Sequence, residues 1–237
     1  RPRARDQRLV VDSTNNKLDW QRGALTDTRT LTSGTYSEPI LLAEEVQTQL
    51  RVIVGGSPTT PYLAAGFGCH IKASFNDALE FWYGTNYYNT TIAPGTYSPD
   101  EFAAAVAARM NEVAGVSAIS CTYDPLSNRF VYASSGLGIG FVAKSSAHCL
   151  SPGTSAIWVL GFGLAAGSGS SATSLVATWP IYKDRFWIAS ETTFYPLAGS
   201  GANVANGCWG LLGFDAVDGT SADRQYARLS RGIRESV

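Results

Sequence analysis

Charge is scarce in this sequence. Only 16% of its 237 residues are charged and the net charge is −1, so no global field draws the body of the protein toward nucleic acid or a membrane surface. Lysine is limited to Lys17, Lys72, Lys144 and Lys183, and histidine to His70 and His148. No apolar run approaches the roughly 18 uncharged residues that a membrane-spanning helix needs. The first residues, Arg1-Pro2-Arg3-Ala4-Arg5, carry no apolar signal segment, and export by the standard route is not expected.

Signatures of chemistry are missing as well. Gly161 to Ser171 is glycine-rich but lacks the Gly-Lys-Ser/Thr of a phosphate-binding loop. Gly136-Leu137-Gly138-Ile139-Gly140 is too short for a dinucleotide fingerprint, and no nucleophile-elbow pattern occurs. Each histidine sits beside a cysteine, His70 by Cys69 and His148 by Cys149. Adjacent residues of a strand point to opposite faces, so neither pair offers both ligands to one ion. No metal site and no cofactor are expected. Without an export context, Cys69, Cys121, Cys149 and Cys208 are expected to be buried free thiols. The paired acids Asp100 and Glu101, and Glu44 and Glu45, fall on helix surfaces where solvation is the default. Asn89-Thr90-Thr91 matches a glycosylation acceptor but reads most simply as a strand edge. No catalytic residue stands out, and the chain is read as not an enzyme.

What the sequence does contain is repetition. Gly-Thr-Tyr-Ser occurs at Gly34 to Ser37 and again at Gly95 to Ser98, and the same offset carries Asn15-Asn16-Lys17-Leu18-Asp19-Trp20 onto Asn76-Asp77-Ala78-Leu79-Glu80-Phe81. Arg129-Phe130-Val131-Tyr132-Ala133-Ser134 echoes Arg185-Phe186-Trp187-Ile188-Ala189-Ser190, and Trp158 to Phe162 echoes Trp209 to Phe214. Apolar residues make up 45%, enough for a globular chain with a sizeable core.

In the later copy, Ala78 to Tyr83 reads as a strand closed by Gly84, Thr90 to Ile92 as a second, and Pro94-Gly95 as a turn. Ser98, Pro99 and Glu101 form a capping box with proline at the first helical position. Phe102, Val106, Met110 and Val113 then make one apolar stripe. Ser120 to Tyr123 and Arg129 to Tyr132 form a hairpin across Asp124-Pro125-Leu126-Ser127-Asn128, and Gly138 to Val142 is a further strand. In the earlier copy, Ser37 caps, Pro39 opens the helix, and Leu42, Val46, Leu50 and Ile53 form the stripe. Ile40 stands where the capping-box acid would be, which weakens this helix start by about 0.5–1 kcal/mol. Its next strand is read at Cys69 to Ser74, with its hairpin partner at Arg185-Phe186.

The expected fold is therefore α+β and β-rich, with two similar β-β-α-β-β modules, the second inserted in a hairpin turn of the first. The divisions are a basic N-terminal arm at 1–14, a discontinuous outer module at 15–75 plus 185–219, an inserted module at 76–184, and an Arg-rich tail at 220–237. Ala165 to Ser174 reads as a flexible Gly/Ser-rich return linker. Arg1, Arg3, Arg5 and Arg8 crowd the start, and Arg224, Arg228, Arg231 and Arg234 the end, where spacings of 4, 3 and 3 put them on one face of a short helix. Both arms are expected to reach protein neighbours sooner than nucleic acid. Of the cluster Phe81, Trp82, Tyr83, Tyr87 and Tyr88, alternation sends part to the core and part to an interface. Trp82, Tyr87 and Tyr88, with the eight terminal arginines, are the candidate partner-interface residues.

The run Ile92-Ala93-Pro94-Gly95-Thr96-Tyr97-Ser98-Pro99 and its Ala-rich helix, the hairpin Cys121-Thr122-Tyr123-Asp124-Pro125 through Arg129-Phe130, and the closes Leu160-Gly161-Phe162 and Leu212-Gly213-Phe214 resemble a pattern in virion structural proteins of tailed double-stranded DNA phages and some large DNA viruses. The outer copy departs from it at Ser33 and lacks the Tyr-Asp-Pro turn. The resemblance implies a non-enzymatic virion component (minor capsid, decoration, connector or tail protein) that packs against itself and neighbouring virion subunits. The alternative is a receptor- or glycan-binding module at a fibre or tail tip. No catalytic residues transfer, because the pattern is structural.

Overall fold

The computed structural model describes residues 9–22, 24–53, 63–142, 146–151, 154–162, 173–182, 185–190, 194–197, 200–203, 207–208, 212 and 224–226. In chain order its elements begin β1 (Leu9–Val11), β2 (Lys17–Arg22), β3 (Leu25–Thr30), β4 (Gly34–Tyr36), α1 (Pro39–Ile53), β5 (Leu63–Phe67), β6 (Cys69–Ile71), β7 (Ala78–Tyr83), β8 (Asn86–Thr91) and β9 (Gly95–Tyr97). They continue α2 (Pro99–Ala114), β10 (Ile119–Asp124), β11 (Arg129–Ser134), β12 (Ile139–Phe141), a 3-10 turn (Ala156–Trp158), β13 (Ser174–Val176), β14 (Phe186–Ser190), β15 (Phe194–Pro196) and β16 (Arg224–Tyr226). The architecture is α+β with strands predominating, and no helix among the described residues is long and apolar enough to cross a membrane.

The chain divides into two compact units, Arg1–Phe67 with Asp184–Val237, and Gly68–Lys183. In the first unit β1 pairs with β4, β2 lies between β15 and β3, and β14 lies between β5 and β16. In the second, β6 pairs with β9, β7 lies between β12 and β8, and β11 lies between β10 and β13. Every one of these ladders is antiparallel. Lys17 faces Thr30 and Arg22 faces Leu25 in one hairpin, as Ala78 faces Thr91 and Tyr83 faces Asn86 in the other.

Local chemistry explains the strings that recur. The tyrosine of each Gly-Thr-Tyr donates its hydroxyl to a backbone carbonyl four residues earlier, Tyr36 to Thr32 at 2.7 Å and Tyr97 to Ala93 at 2.6 Å. Each bond satisfies a polar group while the ring stays against its own unit. The asparagines of the other repeated string close the preceding turns. Asn15 donates to the Val10 carbonyl at 3.0 Å and Asn76 to the His70 carbonyl at 2.8 Å.

The helices follow their apolar stripes. Ser98 accepts from the Glu101 N–H while Glu101 accepts from the Ser98 N–H, and α2 ends on Gly115 at φ 66, the left-handed position where glycine carries no Cβ penalty. Phe102, Val106 and Met110 are fully buried and Val113 half-buried. Each fully buried side chain of this size contributes about 1.5–3 kcal/mol relative to exposure. In α1, Leu42, Val46 and Leu50 are buried in the same way, and no acid stands in its first turn.

The strand assignments need correction in several places. The partner of Phe186–Ser190 is Leu63–Phe67, with Phe186 opposite Phe67 and Ser190 opposite Leu63. Cys69–Ile71, expected in that role, pairs with Gly95–Tyr97. Packing decides the choice. At Gly66 an added Cβ would collide with the Trp187 indole, so β5 accepts that ring only through a glycine. Each unit also has strands beyond the expected β-β-α-β-β order. Gly34–Tyr36 and Gly95–Tyr97, the latter beginning within the turn read at Pro94-Gly95, are strands that close on Leu9–Val11 and Cys69–Ile71. Leu9–Val11, placed in the N-terminal arm, is therefore part of a ladder. Ser174, placed at the end of a flexible linker, begins a strand on β11. Arg224–Tyr226 is a strand on β14, because an edge of that sheet takes up its backbone hydrogen bonds; a helix starting at Arg224 is excluded.

Candidate functional site

Two buried carboxylates organise the β2–β3 and β7–β8 hairpins. Asp19 on β2 is 4% exposed and so is Glu80 on β7. A buried carboxylate costs several kcal/mol in lost hydration unless donors surround it. Glu80 Oε1 accepts from the backbone N–H of Leu150 at 2.6 Å and of Ser151 at 2.7 Å, and from Asn89 Nδ2 at 3.3 Å. Asp19 accepts from Thr28 Oγ1 at 2.6 Å, Asn203 N at 2.5 Å and Asn203 Nδ2 at 2.8 Å. The cross-strand partners are the register partners, Thr28 opposite Asp19 and Asn89 opposite Glu80. In each unit the acid thus fastens a later loop onto the hairpin.

In the second unit this fastening builds an aromatic surface. Residues two apart along β7 share a face, so Trp82 lies on the face of Glu80, opposite Tyr87 in register. Tyr87 is 51% exposed and Trp82 half-buried. The loop held by Glu80 lays the His148 ring on Tyr87, centroids 3.8 Å apart and planes within 13°. Leu150, whose N–H binds Glu80, leaves its side chain 68% exposed. On the other face Phe81 is fully buried and Tyr88 half-buried, stacked at 5.1 Å. No family model matches the chain. No curated protein matches it either.

Of the predicted interface residues, Trp82 and Tyr87 come together, while Tyr88 packs on Phe81 across the strand. Arg1, Arg3, Arg5, Arg8, Arg228, Arg231 and Arg234 lie outside the described residues, and Arg224 lies on β16. Cys69, Cys121 and Cys208 are buried free thiols and Cys149 is half-buried; burial pushes Cys121 and Cys208 up to about 12. His70 lies within 3.1 Å of Thr96 Oγ1. Among the described residues no group of three His, Cys, Asp or Glu could hold a metal ion.

One acid of each pair named from the sequence is occupied in structural bonds. Glu101 closes the capping box, and Glu45 accepts from Thr32 N at 2.8 Å and Gln49 Nε2 at 3.0 Å. Sequence reasoning missed Asp19 and Glu80, although the repeat aligns them: an acid at the same place in both copies, flanked by apolar strand residues. It also passed over Asn111, whose side chain bonds both the N–H and the carbonyl of Ile119 at 2.9 and 2.7 Å. Tyr123 of the Thr-Tyr-Asp-Pro hairpin sets its hydroxyl 2.8 Å from Asn128 Oδ1 and 2.9 Å from the Ile181 carbonyl. Asp124 binds Ser127 Oγ at 2.5 Å and the N–H groups of Leu126 and Ser127.

Proposed function

We propose that the protein is a non-enzymatic structural component of a virion, of the minor capsid, decoration, connector or tail type, and that its two units arose by duplication, the second carried within a connection of the first. The observation that carries this reading is the recurrence of one pairing scheme. A central β2 between β15 and β3 has its counterpart in β7 between β12 and β8, and β14 between β5 and β16 in β11 between β10 and β13. Two turn-closing asparagines, two Tyr-to-carbonyl bonds and two buried acids recur with it. Duplicated modules of this kind supply area for packing, and exposed Tyr87, Leu126, Leu137, Leu150 and Val176 offer apolar side chains for neighbours. The virion assignment rests on the motif resemblance, and the recurring bonds bear on the duplication alone.

Retention of the purified chain by empty capsids or tails, and its detection at fixed positions in assembled particles, is the expected result. A chain abundant in infected cells yet missing from purified particles refutes the reading. The exposed Tyr87 ring beside Trp82 favours a second reading, a glycan-binding module at a fibre or tail tip. Hits on a glycan array that vanish with Tyr87→Ala would move the balance to it.

A further inference from the structure

The Asp19 node differs from the Glu80 node in one chemical respect. At Glu80 the cross-strand partner is the amide of Asn89 and the loop contributes backbone N–H groups. At Asp19 the cross-strand partner is a hydroxyl, Thr28, and the loop contributes a side-chain carboxamide, Asn203. A nucleophile, a buried base and an acyl group with a leaving nitrogen therefore share one cluster. Thr28 Oγ1 lies 2.6 Å from Asp19 Oδ1, Asn203 Nδ2 lies 2.8 Å from the same oxygen, and Nδ2 lies 3.2 Å from Thr28 Oγ1.

We propose that Thr28 and Asn203 become joined by an intramolecular ester, with Asp19 as the proton carrier. Nucleophile and base stand within the hydrogen-bond reach that general-base catalysis requires. Thr28 Oγ1 attacks the Asn203 carboxamide carbon as Asp19 Oδ1 takes the hydroxyl proton. The C–N bond of the tetrahedral intermediate then breaks. Asp19 Oδ1, already bonded to Nδ2, returns the proton to the departing nitrogen. The products are a Thr28–Asn203 ester and one ammonia, and Asp19 ends as it began. No oxidant or co-reactant is required.

Three features hold the geometry. Asn203 N bonds Asp19 Oδ2 at 2.5 Å, which fixes the backbone of the attacked residue to the base. Leu197 N bonds the Asp19 carbonyl at 2.9 Å, which ties the incoming chain to β2. A Cβ at position 201 would collide with the Asp19 carboxylate, so Gly201 lets the loop close on the acid. Asp19 is only 4% exposed, which limits the access of bulk water to the base, while Thr28 and Asn203 are half-buried. The linkage would tie β3 to a loop 175 residues later, a staple with the whole of residues 68–183 inside its ring. It holds whatever particle or surface the chain serves.

Intact-mass spectrometry of the purified full chain tests this. The expected mass is one ammonia below the sequence mass, and a protease digest should contain a branched peptide joining Thr28 to Asn203. Hydroxylamine should cleave that branch. Thr28→Ser should keep the cross-link, and Thr28→Val should show the full sequence mass. Wild-type protein at full mass after prolonged incubation overturns the proposal. So does ammonia loss confined to a linear Asn203 peptide, which would be a succinimide. The wild-type measurement decides the matter even if a variant fails to fold.

Discussion

Glu80→Ala should release the loop that carries His148. The carboxylate takes two backbone bonds at 2.6 and 2.7 Å, from Leu150 and Ser151, and a longer one of 3.3 Å from Asn89. Bonds to a charged group contribute about 1.5–3 kcal/mol each, and removing the acceptor leaves the donors unsatisfied. Counting only the two short bonds, the loop should open about 3–6 kcal/mol more easily, equivalent to roughly two to four orders of magnitude faster amide exchange at Leu150 and Ser151. Glu80→Gln keeps an acceptor but loses the charge, and should cost about 1–2 kcal/mol. Hydrogen exchange read residue by residue is the assay, because a chain of two units need not unfold in one step. Exchange at Asn203, whose N–H binds Asp19 instead, is the internal control and should not change. Unaltered protection at Leu150 and Ser151 in Glu80→Ala would refute the account of the buried acid as a loop fastener.

Gly66→Ala should destabilise the protein by about 1–3 kcal/mol in urea unfolding, since the added methyl must displace the buried Trp187 indole or its strand. Native Cys121 and Cys208, pushed up to about 12 by burial, should resist an aromatic disulfide reagent at pH 8 and react once the chain is unfolded; Cys149 should react first. Burial raises Tyr123 from 10.0 to about 12, so its neutral form is favoured in the fold. The stability it contributes is complete below about pH 10 and is lost as pH climbs toward 12; phenolate absorbance should show a late step that Tyr123→Phe removes. Ser98→Ala should weaken α2 by about 1 kcal/mol in thermal unfolding, and an unchanged midpoint would contradict the capping role.

Local patterns determined both helices, the capping box of α2 and the strand at Ala78 to Tyr83, whereas the strand read at Thr90 to Ile92 runs over Asn86–Thr91. The stripe Phe102, Val106 and Met110, the Ser98–Glu101 box and the aromatic, apolar run from Ala78 to Tyr83 depend on residues within a few positions of one another, so the chain displays them before it folds. The repeat also carried Asp19 onto Glu80, an unread sign of the two buried nodes. Pairings between distant segments were decided by the tertiary structure alone. Leu63–Phe67 has neither alternation nor β-branched residues, and its claim on Phe186–Ser190 depends on an indole lying over Gly66. Cys69–Ile71 alternates well but pairs with Gly95–Tyr97 instead. The meeting of Asp19, Thr28 and Asn203 spans 175 residues and comes about only when a loop with glycine at 201 settles onto a buried acid. Side-chain periodicity belongs to single strands and helices, whereas the choice among competing strand partners is made by packing that no short stretch of sequence contains.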